Sequence, residues 1–276
     1  MPDLMQPITQ EVECTSRQDI LRWRDSHWIQ EQDNLAVEIP VALEFNGISH
    51  AVMLATPSDL ESFALGFALS EGIVDERAEF RDAEVTVSPL GITVHCEIAG
   101  AAFMRLKQRR RNMTGRTGCG LCGVESLEQV VRQLPAVPTG ASVPVLAMRA
   151  ALKELSTLQP LGSLTGGMHA AAWSTPDGRL QQLCEDVGRH NALDKLIGVM
   201  TERRLNFQDG FLLITSRASV EMVQKAATVG IPCLIAISAP TALAVKTAQT
   251  AGMTLIAFAR GDEFVAYTHA DRITGT

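Results

Sequence analysis

Apolar positions along the chain fall into short runs, and their spacing changes from region to region. Residues 1–35 mix Trp23, His27 and Trp28 with scattered charges at no clear period, which predicts an irregular N-terminal lead-in. Order begins at AVEIPVALEFNGISHAVMLA (36–55). Two apolar runs there flank Asn46-Gly47, the strongest short hairpin signal in the chain. TPSDLESFALGFALSEG (56–72) predicts a helix capped by Thr56, with Pro57 at its first position, acids in its first turn and Gly72 as its stop. Residues 84–88 and 91–98 read as strands around Pro89-Leu90-Gly91. A small α+β domain is therefore expected over 36–110.

Residues 111–145 read as a loop carrying a Cys-x-x-Cys pair, followed by a linker whose LPAVPTGASVPV run (134–145) holds Pro135, Pro138 and Pro144. An α/β domain is expected over 146–276, opening with a helix at 148–158. GGMHAAAW (166–173) and DVGRHNALDKLIGVM (186–200) predict helix at their C-terminal ends. Apolar strands at 211–215, 233–238 and 254–259 then alternate with helices at 219–229 and 240–250. Continuous apolar strands are buried on both faces, and helix-length crossovers imply parallel pairing with right-handed connections. Ligands of such sheets bind beyond the carboxyl ends of the strands. Those ends carry Ser216-Arg217, Ser238-Ala239-Pro240-Thr241 and Arg260-Gly261-Asp262.

Composition narrows the function classes. Of 276 residues, 46% are hydrophobic and 20% charged, enough to bury a substantial core and too apolar for a disordered chain. The net charge of −7 argues against a general nucleic-acid binder. The start MPDLMQPITQEVE lacks the apolar core of a secretory signal, and no stretch reaches the roughly 18 apolar residues of a membrane span. A cytoplasmic protein with no membrane partner is expected. Six cysteines in a chain of this length do not make a secreted disulfide scaffold.

Cys119 and Cys122 form the one Cys-x-x-Cys pair, in RTGCGLCG (116–123). Gly115, Gly118, Gly120 and Gly123 surround them, and Arg105, Lys107, Arg109, Arg110, Arg111 and Arg116 lie at or just upstream of the pair. Glycines allow close backbone approach, and positive charge lowers a thiol's pKa, so this reads as a loop with reactive thiols. The same cations could hold a phosphate-bearing ligand or the acidic surface of a partner. Three chemistries fit. A half zinc knuckle would need outside ligands such as His169, His190 or Cys184, since no second pair exists. A thioredoxin-like dithiol should open a helix after a strand, and this pair follows arginines. A persulfide-carrying cysteine suits the charge and the flanking thiol. Deaminase chemistry is disfavoured, because His169 is followed by Ala170-Ala171 rather than by a glutamate, and the Cys-x-x-Cys precedes it without a proline.

Two further segments offer ligand-binding groups. In EDVGRHNALDK (185–195), Asp186 is expected to cap a helix that sets His190 and Asp194 one turn apart, with Arg189 and Lys195 adding charge. The plain alternative is a capped helix with a solvated face, and His169 has a similarly plain reading near an apolar segment. In FARGDE (258–263), Phe258 could contact a base and Arg260 a phosphate, Gly261 allows close approach, and Asp262 or Glu263 could accept from a guanine. An ordinary strand exit is the alternative. Ser216 to Ser219 read as a helix cap with added ligand contacts. Cys14, Cys96, Cys184 and Cys233 stand singly, and Cys96 and Cys233 read as buried packing residues.

Taken together, GRTGCGLCGVE (115–125), LTGGMHAAAW (164–173), EDVGRHNALDK (185–195) and TSRAS (215–219) resemble the formate dehydrogenase accessory sulfurtransferase (FdhD) family. EIPVAL (38–43) and FALGFALSEGI (63–73) fit it too, and the likeness spans roughly 36–272. The resemblance implies a cytidine-deaminase-like three-layer α/β domain preceded by a small β-grasp-like α+β domain. It implies a sulfurtransferase that accepts persulfide sulfur from a cysteine desulfurase on Cys119, with Cys122 resolving or protecting it. The sulfur passes to molybdenum (or tungsten) bis(molybdopterin guanine dinucleotide), bound as substrate at Phe258, Ala259, Arg260, Gly261, Asp262 and Glu263. The sulfurated cofactor then serves the formate dehydrogenase catalytic subunit. The resemblance further implies a homodimer with no permanently bound metal. The alternatives are a zinc-binding protein and a cofactor-delivery chaperone without sulfur transfer.

Overall fold

The computed structural model describes residues 12–113 and 134–275, with side chains omitted from 109 to 113. The first element corrects the expected irregular lead-in. β1 (Thr15–Arg24) and β2 (His27–Ala36) form an antiparallel hairpin closed by Asp25-Ser26, both at positive φ (52° and 64°). The hairpin buries neither face fully. Leu21, Trp23 and Trp28 on one face are more than half exposed, so no apolar alternation marked the strands.

β3 (Ile39–Phe45) and β4 (Ile48–Ala55) turn at Asn46-Gly47, both left-handed as the dipeptide predicts. With β5 (Phe80–Ser88) and β6 (Gly91–Ile98) they form a four-stranded sheet ordered β4-β3-β6-β5, in which β3 and β6 run parallel. α1 (Leu60–Ser70) starts later than the sequence predicted: Asp59, at φ 52°, precedes it, and Thr56 is not its cap. Ten of its eleven residues are buried, Glu61 being the exception, because it lies at the centre of the molecule rather than on its surface. α2 (Gly100–Met113) follows β6.

An irregular stretch from 134 leads to β7 (Val143–Pro144), α3 (Val145–Leu155) and α4 (Pro160–Thr165). His169–Ser174 is a strand, β8, where helix was predicted. Its alanines lie between two neighbouring strands and face both cores, so pairing and the small space available outweigh alanine's helical preference. β9 (Leu180–Asp186) also lies where no strand was predicted. α5 (Arg189–Glu202), β10 (Phe211–Ile214), α6 (Val220–Thr228), β11 (Cys233–Ala236), α7 (Ala242–Ala251) and β12 (Thr254–Arg260) match the predicted alternation within a few residues. β13 (Glu263–Thr268) is a further strand, and β14 (Ile273–Thr274) pairs with β7.

The large sheet runs β13-β12-β11-β10-β8-β9, with β10, β11 and β12 parallel. One face packs on α5, α6 and α7, and the other on α3, giving three layers. The first core continues through α1 into the four-stranded sheet, so both parts of the chain share it. Two glycines make this join. A Cβ on Gly66 would sit 1.7 Å from the Asp194 carbonyl oxygen, and one on Gly198 would sit 1.8 Å from that of Ser62. α1 and α5 therefore meet backbone to backbone.

Candidate functional site

β8 runs antiparallel to both β9 and β10, so β9, β10, β11 and β12 all end at one edge of the sheet. β8 and β13 begin there. The topology thus gathers His169, the turn after Asp186, Thr215–Ser219, Ile237–Thr241 and Phe258–Glu263 along a single line. Backbone hydrogen bonds lace this line together. Thr215 N donates to the Ala170 carbonyl (3.0 Å), Ile237 N to Ile214 (3.0 Å), Ala218 N to Ala239 (3.1 Å), Thr241 N to Ala218 (3.0 Å) and Phe258 N to Ser238 (3.2 Å). Ser219 occupies the cap position of α6 without a side-chain cap bond, whereas Thr241 caps α7 by accepting from Ala244 N at 3.2 Å. α5, α6 and α7 all start at this edge, so their positive ends face it.

At the Phe258 end, the register slips between Ala257 and Arg260, and Phe258 takes φ 52°. A bulky residue at positive φ stores strain of about 1–3 kcal/mol, and such positions concentrate at functional sites. The slip leaves the Phe258 ring 44% exposed. Phe258, Asp262, Glu263, Phe264 and Val265 line an open cavity of about 370 Å³. The predicted six-residue segment is not uniform. Arg260 is exposed and its Nε donates to the Ile237 carbonyl at 3.0 Å, and Gly261 is left-handed with open space above it. The Ala259 side chain is buried in the opposite core and offers a ligand only backbone. Asp262 is ion-paired with Arg149, a partner that lies far away in sequence.

EDVGRHNALDK does not present a solvated face. Asp186 is the last residue of β9, not a helix cap, and Gly188 occupies that position. The Asp186 carboxylate accepts from Gly188 N (2.8 Å), Asn191 Nδ2 (2.9 Å) and Thr56 N (3.0 Å), and pairs with Lys195 Nζ at 2.7 Å, both side chains fully buried. Lys195 also donates to the Thr56 carbonyl (2.9 Å) and Ser58 Oγ (3.2 Å). Thr56, expected as a cap, instead ties the small sheet to this turn, its hydroxyl accepting from Val187 N at 3.1 Å. Glu185 accepts from Leu161 N and Gly162 N at the start of α4. Asp194 is buried against Lys225, whose ammonium also meets Glu71 at 2.8 Å. Lys195 is therefore consumed by the fold, and Arg189 is the cation of this motif left at the edge.

Arg189 stands near two histidines. Burial, then the charges of Arg189 and Lys225, push the His190 imidazole down to about 4. Burial and Arg189 also lower His169, against a smaller opposing pull from Asp186. Both shifts favour the uncharged imidazole.

Cys119, Cys122 and Arg116 lie outside the described residues, as do the side chains of Arg109, Arg110 and Arg111. Of the predicted basic cluster, Arg105 is not free: it pairs with Glu79 (2.6 Å) and Asp75 (3.1 Å), acids that precede it in sequence and meet it only in space. Lys107 lies over the Phe103 ring, 4.2 Å from its centroid. Burial pushes the thiols of Cys96, Cys184 and Cys233 up to about 12.

The chain matches the family model described as the FdhD/NarQ family over residues 36–274. It is 52% identical over 260 residues to the sulfur carrier protein FdhD of Variovorax paradoxus, covering 93% of this chain and 94% of that protein. It is also 52% identical over 254 residues to the protein of that name in Cupriavidus necator, covering 92% and 88%. A solved structure, described as that of a candidate formate dehydrogenase accessory protein from Desulfotalea psychrophila, shares the fold with a TM-score of 0.73 at 24% identity, covering 95% of this chain and 100% of that one.

Proposed function

The chain belongs to the FdhD/NarQ family, and on that premise we propose that it is a sulfur carrier of formate dehydrogenase maturation, bearing the transferred sulfur on Cys119. The observation that carries the reading is the near full-length likeness, at about half identity, to relatives named as sulfur carrier proteins. The strand-edge geometry adds a place for the acceptor. The exposed Phe258 ring, the left-handed Gly261 and the Arg260 guanidinium support binding of the guanine nucleotide end of molybdenum (or tungsten) bis(molybdopterin guanine dinucleotide). The three-layer sheet supports the cytidine-deaminase-like description, and the sheet around α1 the β-grasp-like one.

Two exchanges move the sulfur. The Cys119 thiolate attacks the outer sulfur of a cysteine desulfurase persulfide. That S–S bond breaks, a new one forms on Cys119, and the desulfurase leaves as a thiolate with no net redox change. The Cys122 thiolate then attacks the inner sulfur of the Cys119 persulfide, and hydrosulfide leaves for the metal of the bound substrate, where with one proton from solvent it replaces an oxo ligand that departs as water. The two electrons that reduce the sulfur come from the two cysteines, which end as a disulfide and are restored by an external dithiol. The protein acts as a cytoplasmic homodimer between the desulfurase and the formate dehydrogenase catalytic subunit. Among the described residues no helix is long and apolar enough to cross a membrane.

The test is sulfur loading. Incubated with a cysteine desulfurase and cysteine, the wild-type protein should gain the mass of one sulfur on the peptide holding Cys119, and Cys119→Ala should gain none. Equal loading of that variant would refute the assignment.

A further inference from the structure

The edge that holds Phe258 has a second end. From β12 through β11, β10 and β8 to β9 the sheet takes four inter-strand steps of about 4.8 Å, so the two ends lie roughly 19 Å apart. That is beyond the reach of a nucleoside diphosphate anchored at Phe258. At the far end His169 opens β8 opposite Asp186, and Arg189 and His190 open α5. Arg189 Nε and His190 Nε2 are both buried and have no hydrogen-bond partner among the described residues. Native structures satisfy nearly all such groups, because an unmade buried hydrogen bond costs about 1–3 kcal/mol.

Most of the charges around this end are engaged within the fold. Asp186 is paired with Lys195, and Glu71 shares Lys225 with Asp194. Lys225 acts on His190 together with Arg189, and Glu221, exposed on α6, and Glu71 oppose them. Arg189 forms no ion pair among the described residues, so its planar fork is available for an oxyanion.

We propose that Arg189, His169 and His190 form an oxyanion-binding subsite for a part of the cofactor that lies beyond the guanine nucleotide held at Phe258–Glu263. This rests on the cofactor-binding reading above. The subsite would hold a phosphate or the metal–oxo group of the substrate while one guanine nucleotide anchors it.

The test uses the full chain with molybdate and inorganic phosphate as probes and the imidazole proton resonances of His169 and His190 as the readout. Molybdate should shift both resonances saturably, and Arg189→Gln should weaken that response at least tenfold, with Arg189→Lys recovering part of it. Phosphate acting as well as molybdate identifies a phosphate of the ligand as the occupant; molybdate alone identifies its metal–oxo group. Guanosine diphosphate, followed by calorimetry, should bind Arg189→Gln as it binds wild type and should bind Arg260→Ala more weakly. Histidine resonances that ignore millimolar oxyanion, or move equally in Arg189→Gln, would overturn the subsite. A histidine response without any guanosine diphosphate binding would instead remove the guanine end and leave the subsite standing.

Discussion

Lys195→Met gives a quantitative test of how the edge is built. Lys195 and Asp186 are both fully buried and 2.7 Å apart. Methionine keeps the stem's volume and removes the ammonium. The Asp186 carboxylate then retains Thr56 N, Gly188 N and Asn191 Nδ2 as donors but loses its only cation among the described residues. Removing one member of a buried pair costs about 3–5 kcal/mol, and three surviving donors place this case near 3. The Thr56 carbonyl also loses the ammonium's hydrogen bond, worth about 1 kcal/mol more. A total near 4 kcal/mol is a large share of the 5–15 kcal/mol that typically holds a fold. In urea, at an m-value of about 3 kcal/mol/M, the unfolding midpoint should fall by about 1.3 M, read by circular dichroism and by the emission of the buried Trp173. Asp186→Asn added to Lys195→Met removes the stranded charge and should recover about 2 kcal/mol. A loss under about 1 kcal/mol, or a double variant no better than the single one, would refute the reasoning.

Stability should depend on His190 in mild acid. Its folded value near 4 lies below the ordinary 6.5, so its contribution is fully present above pH 6.5 and is lost as pH falls toward 4, about 3 kcal/mol over that window. His190→Gln should flatten the pH–stability curve there, and curves of equal slope for variant and wild type would contradict this. Gly66→Ala should lower the melting temperature by about 5 °C. Alanine gains about 1 kcal/mol of helix propensity, but its Cβ must push α1 off the Asp194 carbonyl, a clash costing about 3 kcal/mol. An unchanged or raised melting temperature would show that the two helices part freely.

The sequence made some of this legible and hid the rest for identifiable reasons. Asn46-Gly47 and the three parallel strands follow from local rules, since turn chemistry and continuous apolar runs need no distant partner. The gathering of Ser216-Arg217, Ser238–Thr241 and Arg260–Asp262 at one edge followed from the strand–helix alternation. Features set by distant partners were not legible. His190 and Asp194 read as one face of a solvated helix with Lys195 adding charge, yet Lys225 buries Asp194 and the Thr56 turn buries Lys195. His169 to Ser174 read as helix because alanine dominates it, and only its two neighbouring strands make it β. Arg105 looked like part of a free basic cluster until Asp75 and Glu79 were brought beside it. A spacing rule could have found the Asp186–Lys195 link only by placing Asp186 on a strand end rather than on a cap.

The central claim is that sulfur passes through this protein to the cofactor of a client enzyme. Its most direct test is reconstitution with a cysteine desulfurase, radiolabelled cysteine, unsulfurated cofactor and the formate dehydrogenase catalytic subunit. The account predicts label on the client's cofactor and formate oxidation with the wild-type protein, and neither with Cys119→Ala. Equal label and activity with Cys119→Ala, or with the protein omitted, would contradict it.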